Sequence, residues 1–114
     1  KDLTGEIRPI LDRLDPQVDL VVSGHTHRSY VCDYGQYNPA KPFLLTSAGV
    51  FGTLVTEISL EFDPRGSGLV SRSARNVIVQ SEAYRPAVDR VSPNTDRFPR
   101  FAPRADIAEY VASL

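Results

Sequence analysis

Residues 19–28 read Asp-Leu-Val-Val-Ser-Gly-His-Thr-His-Arg (DLVVSGHTHR), and this stretch decides the fold class. A short apolar run lies between Pro16 and Gly24, and such a run is typical of a strand buried on both faces. We predict this strand over residues 19–23. Gly24 then allows the backbone to turn tightly at the carboxyl end of the strand.

The segment before this strand has the apolar spacing of one helical face, with its members at Ile7, Ile10, Leu11 and Leu14. The spacing predicts an amphipathic helix over residues 5–14. Pro9 fits only in the first turn, where its missing N–H has no partner to lose, so the helix should begin near Glu6. Helix, loop and buried strand together form half of an α/β unit.

After this strand the spacing of the apolar residues changes from that of a helix to that of β-strands. Apolar and polar residues alternate over residues 54–62, which predicts a strand with one dry face and one wetter face. Shorter strands are predicted at 29–34 and 43–47. The Asp-Pro-Arg-Gly-Ser-Gly turn at 63–68 should return the chain into a strand over 69–79. The middle of the chain is therefore predicted to be an antiparallel meander.

The last third differs in composition, so we divide the chain into residues 1–80 and 81–114. Four prolines predict an extended connector on a surface, and helical spacing returns over 103–114. Five arginines could attract an anion, but their irregular spacing favours a solvated connector that docks on an acidic domain: Arg85, Arg90, Arg97, Arg100 and Arg104.

The overall composition excludes several classes of protein. The 114 residues carry a net charge of -1, which argues against a general nucleic-acid binder. The apolar runs are far shorter than the roughly 20 residues of a membrane span. Cys32 is the single cysteine, so it has no intrachain disulfide partner, and we expect a small buried residue on a strand. From the absence of Met we expect that the chain has been trimmed or was cut from a longer protein.

One cluster has the character of a metal site, because the two histidines of the chain, His25 and His27, directly follow Gly24. Imidazole is a common metal ligand, and α/β sheets place their sites at the carboxyl ends of strands. His-x-His alone is a weak signal, since residues two apart on a strand simply share a face. At the end of a buried strand, however, an apolar residue would fill any packing role better.

On these residues the chain resembles the calcineurin-like metallophosphoesterases, whose last metal-binding motif reads G-H-x-H. SYVCDY at 29–34 and LLTSAGVFGTLVTEISLEFD at 44–63 are similar to the bacterial 5'-nucleotidase branch, which includes bifunctional 2',3'-cyclic-nucleotide phosphodiesterases. The resemblance covers about residues 5–80. Residues 103–114 resemble the start of the helix that links this domain to a C-terminal nucleotide-binding domain.

The resemblance implies an α/β fold, namely the C-terminal half of a two-sheet α/β/β/α metallophosphatase domain followed by a linker helix. His25 and His27 would each ligate a different ion of a dinuclear Zn, Mn or similar site, and not act as bases. Gly24 would supply the sharp turn and Thr26 would point away from the metals. The parent protein would hydrolyse nucleotide phosphate esters by metal-assisted chemistry. It would be periplasmic or secreted.

The chain departs from the family in lacking the other ligand motifs: an Asp-x-His, a bridging Asp, a Gly-Asn-His and a further His. The aromatic pair that grips the base has no counterpart either. We therefore expect this chain alone to be inactive, with at most one weakly held metal ion. Its expected partners are the N-terminal half and the nucleotide-binding domain of the parent, and otherwise a second copy of itself.

Two other functions stay open, a binding or assembly module without metal chemistry and a small His-x-His metal carrier. The carrier is disfavoured, because no Cys or carboxylate lies close in sequence to complete a site. Two further groups have a structural and a ligand-binding interpretation. Packing is favoured over base binding for Tyr30, Tyr34 and Tyr37. A bulge or tight turn is favoured over a phosphate cradle for Gly49 and Gly52.

Overall fold

The computed structural model describes residues 5–66, 68–80, 83–87, 90–92 and 94–114. The chain forms two compact units, Lys1–Val77 and Ile78–Leu114. Within the described residues the first unit contains a short helix, a three-stranded sheet and a hairpin, whereas the second contains a small hairpin and a helix. The coarse class predicted from the sequence, α/β, is confirmed.

The first helix, α1, spans Ile7–Leu11 and is shorter than the predicted 5–14. Glu6 precedes it without a capping side-chain hydrogen bond, and Pro9 lies in the first turn as expected. After Leu11 the backbone tightens, because the N–H of Leu14 donates to the carbonyl of Leu11 at 3.2 Å, three residues back. Such three-residue closures end an α-helix and satisfy part of its last carbonyls.

The three-stranded sheet consists of β1 (Leu20–Val22), β2 (Ser29–Asp33) and β3 (Leu44–Ala48), in the order β1-β3-β2. Strand β3 runs parallel to β1 and antiparallel to β2. It is therefore central, and its first four residues are buried.

This order corrects two predictions. Strand β1 is not buried on both faces as predicted, since Val22 is 72% exposed, and among the described strands it lies at the edge of the sheet. The middle of the chain is not one continuous antiparallel meander either. Strand β2 pairs antiparallel with β3, but the next two strands form a separate sheet, and β3 also pairs in parallel with β1.

The core of the first unit lies under this sheet. Leu11, Tyr34, Phe43 and Leu45 are buried there, and the rings of Tyr34 and Phe43 stack at a centroid distance of 4.7 Å. Cys32 is half-buried on β2 and packs against this cluster. The predicted packing role of the three tyrosines is confirmed, because Tyr34 is fully buried and the other two pack against the cluster.

The hairpin consists of β4 (Leu54–Phe62) and β5 (Leu69–Ile78), so its first strand has the predicted bounds. Exposed and half-buried residues alternate over the first part of β4, as the period-2 pattern predicted. Two side chains of β5 attach the hairpin to the first sheet. Asn76 Nδ2 donates to the carbonyl of Ser47 at 3.0 Å, and Arg72 Nη1 lies 3.4 Å from Asp19 Oδ1.

The second unit contains the antiparallel strands β6 (Tyr84–Ala87) and β7 (Arg90–Ser92) and the helix α2 (Ala105–Ala112). An extended connector was predicted here, and the structure shows that part of it pairs as two short strands. Pro86 lies in β6, and a two-stranded ribbon tolerates proline because only half of the N–H groups of each strand face the partner. Of the arginines, Arg97, Arg100 and Arg104 are exposed, whereas the side chains of Arg85 and Arg90 lie outside the described residues.

The loop between β7 and α2 is organised by one side chain. Gln80 Nε2 donates to the carbonyls of Thr95 and Phe98, at 2.8 and 3.1 Å, and its Oε1 accepts from the Thr95 N–H at 2.9 Å. Helix α2 has eight residues, and none of the helices in the described part of the chain is long and apolar enough to cross a membrane.

Candidate metal site at the carboxyl edge of the parallel strands

The two histidines lie where the carboxyl ends of β1 and β3 meet. Because these strands are parallel, the loop after β1 and the loop after β3 leave the sheet at the same edge. The first loop, residues 23–28, carries both histidines, and the second covers residues 49–53. This edge of an α/β sheet is where binding sites commonly form.

Both ends of the histidine loop are attached to β3. At the start, the N–H and the hydroxyl of Ser23 donate to the Thr46 carbonyl, at 2.8 and 2.9 Å. The hydroxyl has one hydrogen, so the Tyr30 hydroxyl at 2.6 Å is the donor to Ser23 Oγ. At the end, the Arg28 carbonyl accepts from Ser47 Oγ at 2.7 Å and from the Gly49 N–H at 3.1 Å.

Between these attachments the backbone has an uncommon conformation. The Thr26 N–H donates to the Gly24 carbonyl at 2.8 Å, which closes a three-residue turn around His25 at φ 68°. A γ-turn with positive φ at its centre is the rarer and more strained form. His27 is also left-handed, at φ 58°. Gly24, Thr26 and both histidines are exposed, so the imidazoles are accessible to a ligand.

The second loop is a tight turn. The Thr53 N–H donates to the Val50 carbonyl at 3.1 Å, and the two central residues, Phe51 and Gly52, have φ of 57° and 67°. Positive φ at both central positions is the signature of a type I′ turn. The tight turn predicted for Gly49 and Gly52 is therefore confirmed.

Phe51 brings the two loops together. Its ring centroid lies 6.1 Å from that of His27, with the ring planes inclined by 53°. In the described part of the chain, the non-glycine residues with positive φ are His25, His27 and Phe51, and all three lie at this edge. The sequence prediction missed Phe51. The sequence did contain a signal that could have identified this residue, because Phe occupies a turn position that favours Asn, Asp or Gly.

The donor set fits a metal ion in part. Two imidazoles on one exposed loop are suitable ligands for Zn²⁺ and similar ions. However, the described residues include no group of three or more His, Cys, Asp and Glu side chains placed to hold a metal. A closed structural zinc site needs four ligands, so this loop can supply only part of a shell.

Comparison with known proteins adds no relative, because no family model, curated protein or solved structure matches the chain. The functional interpretation therefore depends on the motif and on the geometry of this edge.

Proposed function

We propose that this chain is the C-terminal half of a two-sheet, calcineurin-like metallophosphatase domain, and that the complete domain hydrolyses phosphate esters of nucleotides. His25 and His27 are its contribution to a site for two divalent ions. One observation supports this most directly. The Gly-His-Thr-His motif follows β1 at the carboxyl edge of a parallel strand pair, and both imidazoles are exposed there.

The role of the chain in this proposal is to hold and orient ligands. The hydrogen bonds at Ser23 and Arg28 attach the loop to the buried strand β3, which limits how far the histidines can move. Two imidazoles on one short loop can each supply a nitrogen to one of two ions about 3.5 to 4 Å apart. When bound, such ions stabilise charge on the phosphoryl oxygens and lower the pKa of water.

The remaining ligands belong to the N-terminal half of the domain in this proposal, on the family's Asp-x-His, Gly-Asn-His and bridging Asp motifs. The edge position of β1 supports this, because β1 pairs only with β3 among the described strands and can accept a further strand. The nucleotide-binding domain would follow α2, and the periplasmic or secreted location is part of the same proposal.

Metal binding by the full 114-residue chain tests the role of the histidines. Calorimetry with Zn²⁺ and Mn²⁺ should detect weak binding of about one ion, as expected for an incomplete shell. His25→Ala and His27→Ala should each weaken the binding, and the double variant should abolish it. Thr26→Ala is the matched control and should bind like the unaltered chain. Unchanged binding by the double variant would refute the assignment.

Activity assays test the second half of the proposal. The chain alone should not hydrolyse nucleoside monophosphates or cyclic nucleotides with added Mn²⁺, whereas the same chain joined to its N-terminal half should. In the joined protein, His27→Ala should reduce kcat by orders of magnitude, because one cation contributes several kcal/mol to the transition state. Full activity of that variant would contradict the proposal.

An assembly module without metal chemistry is the second candidate. It is favoured by apolar side chains that stay exposed on the strands of the first unit: Val22, Leu60, Phe62 and Val70. The calorimetry separates the two candidates, since a module of this kind should show no histidine-dependent binding of either ion.

A further inference from the structure

We propose that Phe51 is a positioning residue that holds the His27 imidazole in one orientation at the carboxyl edge of β1 and β3. The role of His27 as a metal ligand rests on the proposed function. The orienting contact between the two rings does not.

The first argument is the contact itself. A centroid distance of 6.1 Å and an inclination of 53° lie within the range in which aromatic rings attract each other in tilted arrangements. Both residues are exposed, so burial in a core does not fix the rotamer of the His27 imidazole. The Phe51 ring is the aromatic neighbour that the structure places beside it.

The second argument is the conformation in which Phe51 is held. It occupies the first central position of a type I′ turn at φ 57°, which is a genuine outlier for a bulky residue. Phe51 is 91% exposed, so burial in a core does not account for this conformation. Asn, Asp or Gly would form the same turn with less strain.

The third argument is the location of the strain. Residues held in rarely populated backbone regions cluster at functional sites, where the surrounding structure maintains them. Here the left-handed Phe51 lies beside the left-handed His27, on two loops that leave adjacent parallel strands. Gly49 and Gly52 on the same loop also have positive φ, and the Gly49 N–H donates to the Arg28 carbonyl of the histidine loop at 3.1 Å.

The test is an NMR measurement on the metal-free, full 114-residue chain. Three-bond couplings to Cγ report whether the χ1 angle of His27 has one value or is averaged. We expect a single rotamer for His27 in the unaltered chain. Phe51→Asn should give averaged couplings at His27, because Asn keeps the type I′ turn and removes the ring. Phe51→Tyr should restore the single rotamer.

The matched control is Phe62→Ala, which removes another exposed phenyl ring, at the end of β4. It should leave the His27 couplings unchanged, and amide spectra of each variant report whether the fold is kept. Averaged couplings in the unaltered chain, or unchanged couplings in Phe51→Asn, would overturn the positioning role.

A Zn²⁺ titration connects this role to the proposed function. Phe51→Asn should weaken Zn²⁺ binding by about tenfold, the lower end of what residues that orient metal-bound histidines contribute. Phe62→Ala should not change it. Zn²⁺ binding that is indifferent to His27→Ala would refute the proposed function, while the couplings would still decide the positioning. If Zn²⁺ binding does depend on His27, equal Zn²⁺ affinity of Phe51→Asn and the unaltered chain would contradict the positioning role.

Discussion

The residues at the candidate site adopt a conformation that glycine would adopt more easily. His25, His27 and Phe51 are left-handed, and each L-residue with a Cβ atom loses about 1 kcal/mol or more in this region. The hydrogen bonds at the two ends of the histidine loop compensate for this strain. The chain therefore keeps side chains here that are unfavourable for folding, as is typical of functional sites.

Substitution of His27 by glycine should stabilise the fold. We expect His27→Gly to raise the free energy of unfolding by about 1 kcal/mol, because it relieves the strain at φ 58°. His27→Ala keeps the Cβ atom and should change the free energy of unfolding little. Thr26 has no positive φ, so Thr26→Gly is a control that should lower stability by about 0.5 to 1 kcal/mol. Urea unfolding measures all three. Equal free energies of unfolding for His27→Gly and His27→Ala would show that the backbone at His27 is not strained.

The buried Tyr34 makes stability depend on pH at both extremes. Its hydroxyl donates to Asp12 Oδ1 at 2.6 Å, and this hydrogen bond lowers the pKa of Asp12 below its ordinary value. Burial, together with the same hydrogen bond, raises the pKa of Tyr34. The lowered pKa of Asp12 stabilises the fold above about pH 4, and this effect is lost as the pH falls through the folded-state pKa.

For Tyr34, whose pKa is raised, stability is lost as the pH rises and not as it falls. The stabilisation is complete below about pH 10, the pKa of an unfolded Tyr, and is lost as the pH rises from there through the raised pKa. Tyr34→Phe should therefore be less stable near pH 7 and show a shallower decline of stability toward both acid and alkali. Urea unfolding from pH 2 to 11 measures this. A parallel pH profile for the variant would show that the pair does not contribute.

At the scale of elements, α1 illustrates how a helix too short to be stable alone is held in place. It has five residues, well below the roughly 12 to 15 that an isolated helix needs. Its Leu11 side chain is buried, and Lys41 Nζ donates to the carbonyls of Asp12 and Leu14 just after the helix. A cation bound to the last carbonyls satisfies them and suits the helix dipole.

Removal of the Lys41 ammonium should loosen this end of α1. We expect Lys41→Met, which keeps an apolar stem, to lower the free energy of unfolding by about 1 to 2 kcal/mol. Hydrogen exchange should speed up at the Asp12 amide, which donates to the Arg8 carbonyl. Exchange in the β4–β5 hairpin should change less. In Lys41→Arg, which keeps the charge, the exchange rate at Asp12 should lie between those of the unaltered chain and Lys41→Met. Unchanged exchange at Asp12 would show that the packing of Leu11 alone holds the helix.

At the scale of the whole molecule, the three-stranded sheet has open edges. Strand β1 pairs only with β3 among the described strands, and Val22 on it is 72% exposed. Open strand edges with apolar side chains favour pairing with another chain. A second copy of the chain can therefore pair with β1.

Self-association of the chain should therefore be measurable and should depend on β1. We expect light scattering at micromolar concentration to give a mass well above the 12.6 kDa of one chain. Val22→Lys should shift the mass toward the monomer, because a charge on an edge strand opposes pairing. Val55→Lys, at an exposed position on β4, is the control and should leave the measured mass unchanged. A monomer of unaltered sequence, with a melting temperature independent of concentration, would contradict this expectation.

The sequence alone determined the elements whose signals are local. The bounds of β4, the β4–β5 turn, the tight turn at Gly49 and Gly52, and the histidine loop after a strand all follow from residues a few positions apart. Alternation and turn residues act over such distances. For the same reason, helical spacing near the end of the chain was enough to predict α2.

The tertiary structure decided which strand is buried and what lies beside His27. Strand β3 becomes central because it pairs with β1, more than 20 residues earlier, and periodicity within a strand carries no information about its partner. The early end of α1 and the β6–β7 hairpin also depend on contacts beyond local propensity. Phe51 reaches His27 only because two parallel strands end at one edge, so their contact follows from strand pairing and not from either loop alone.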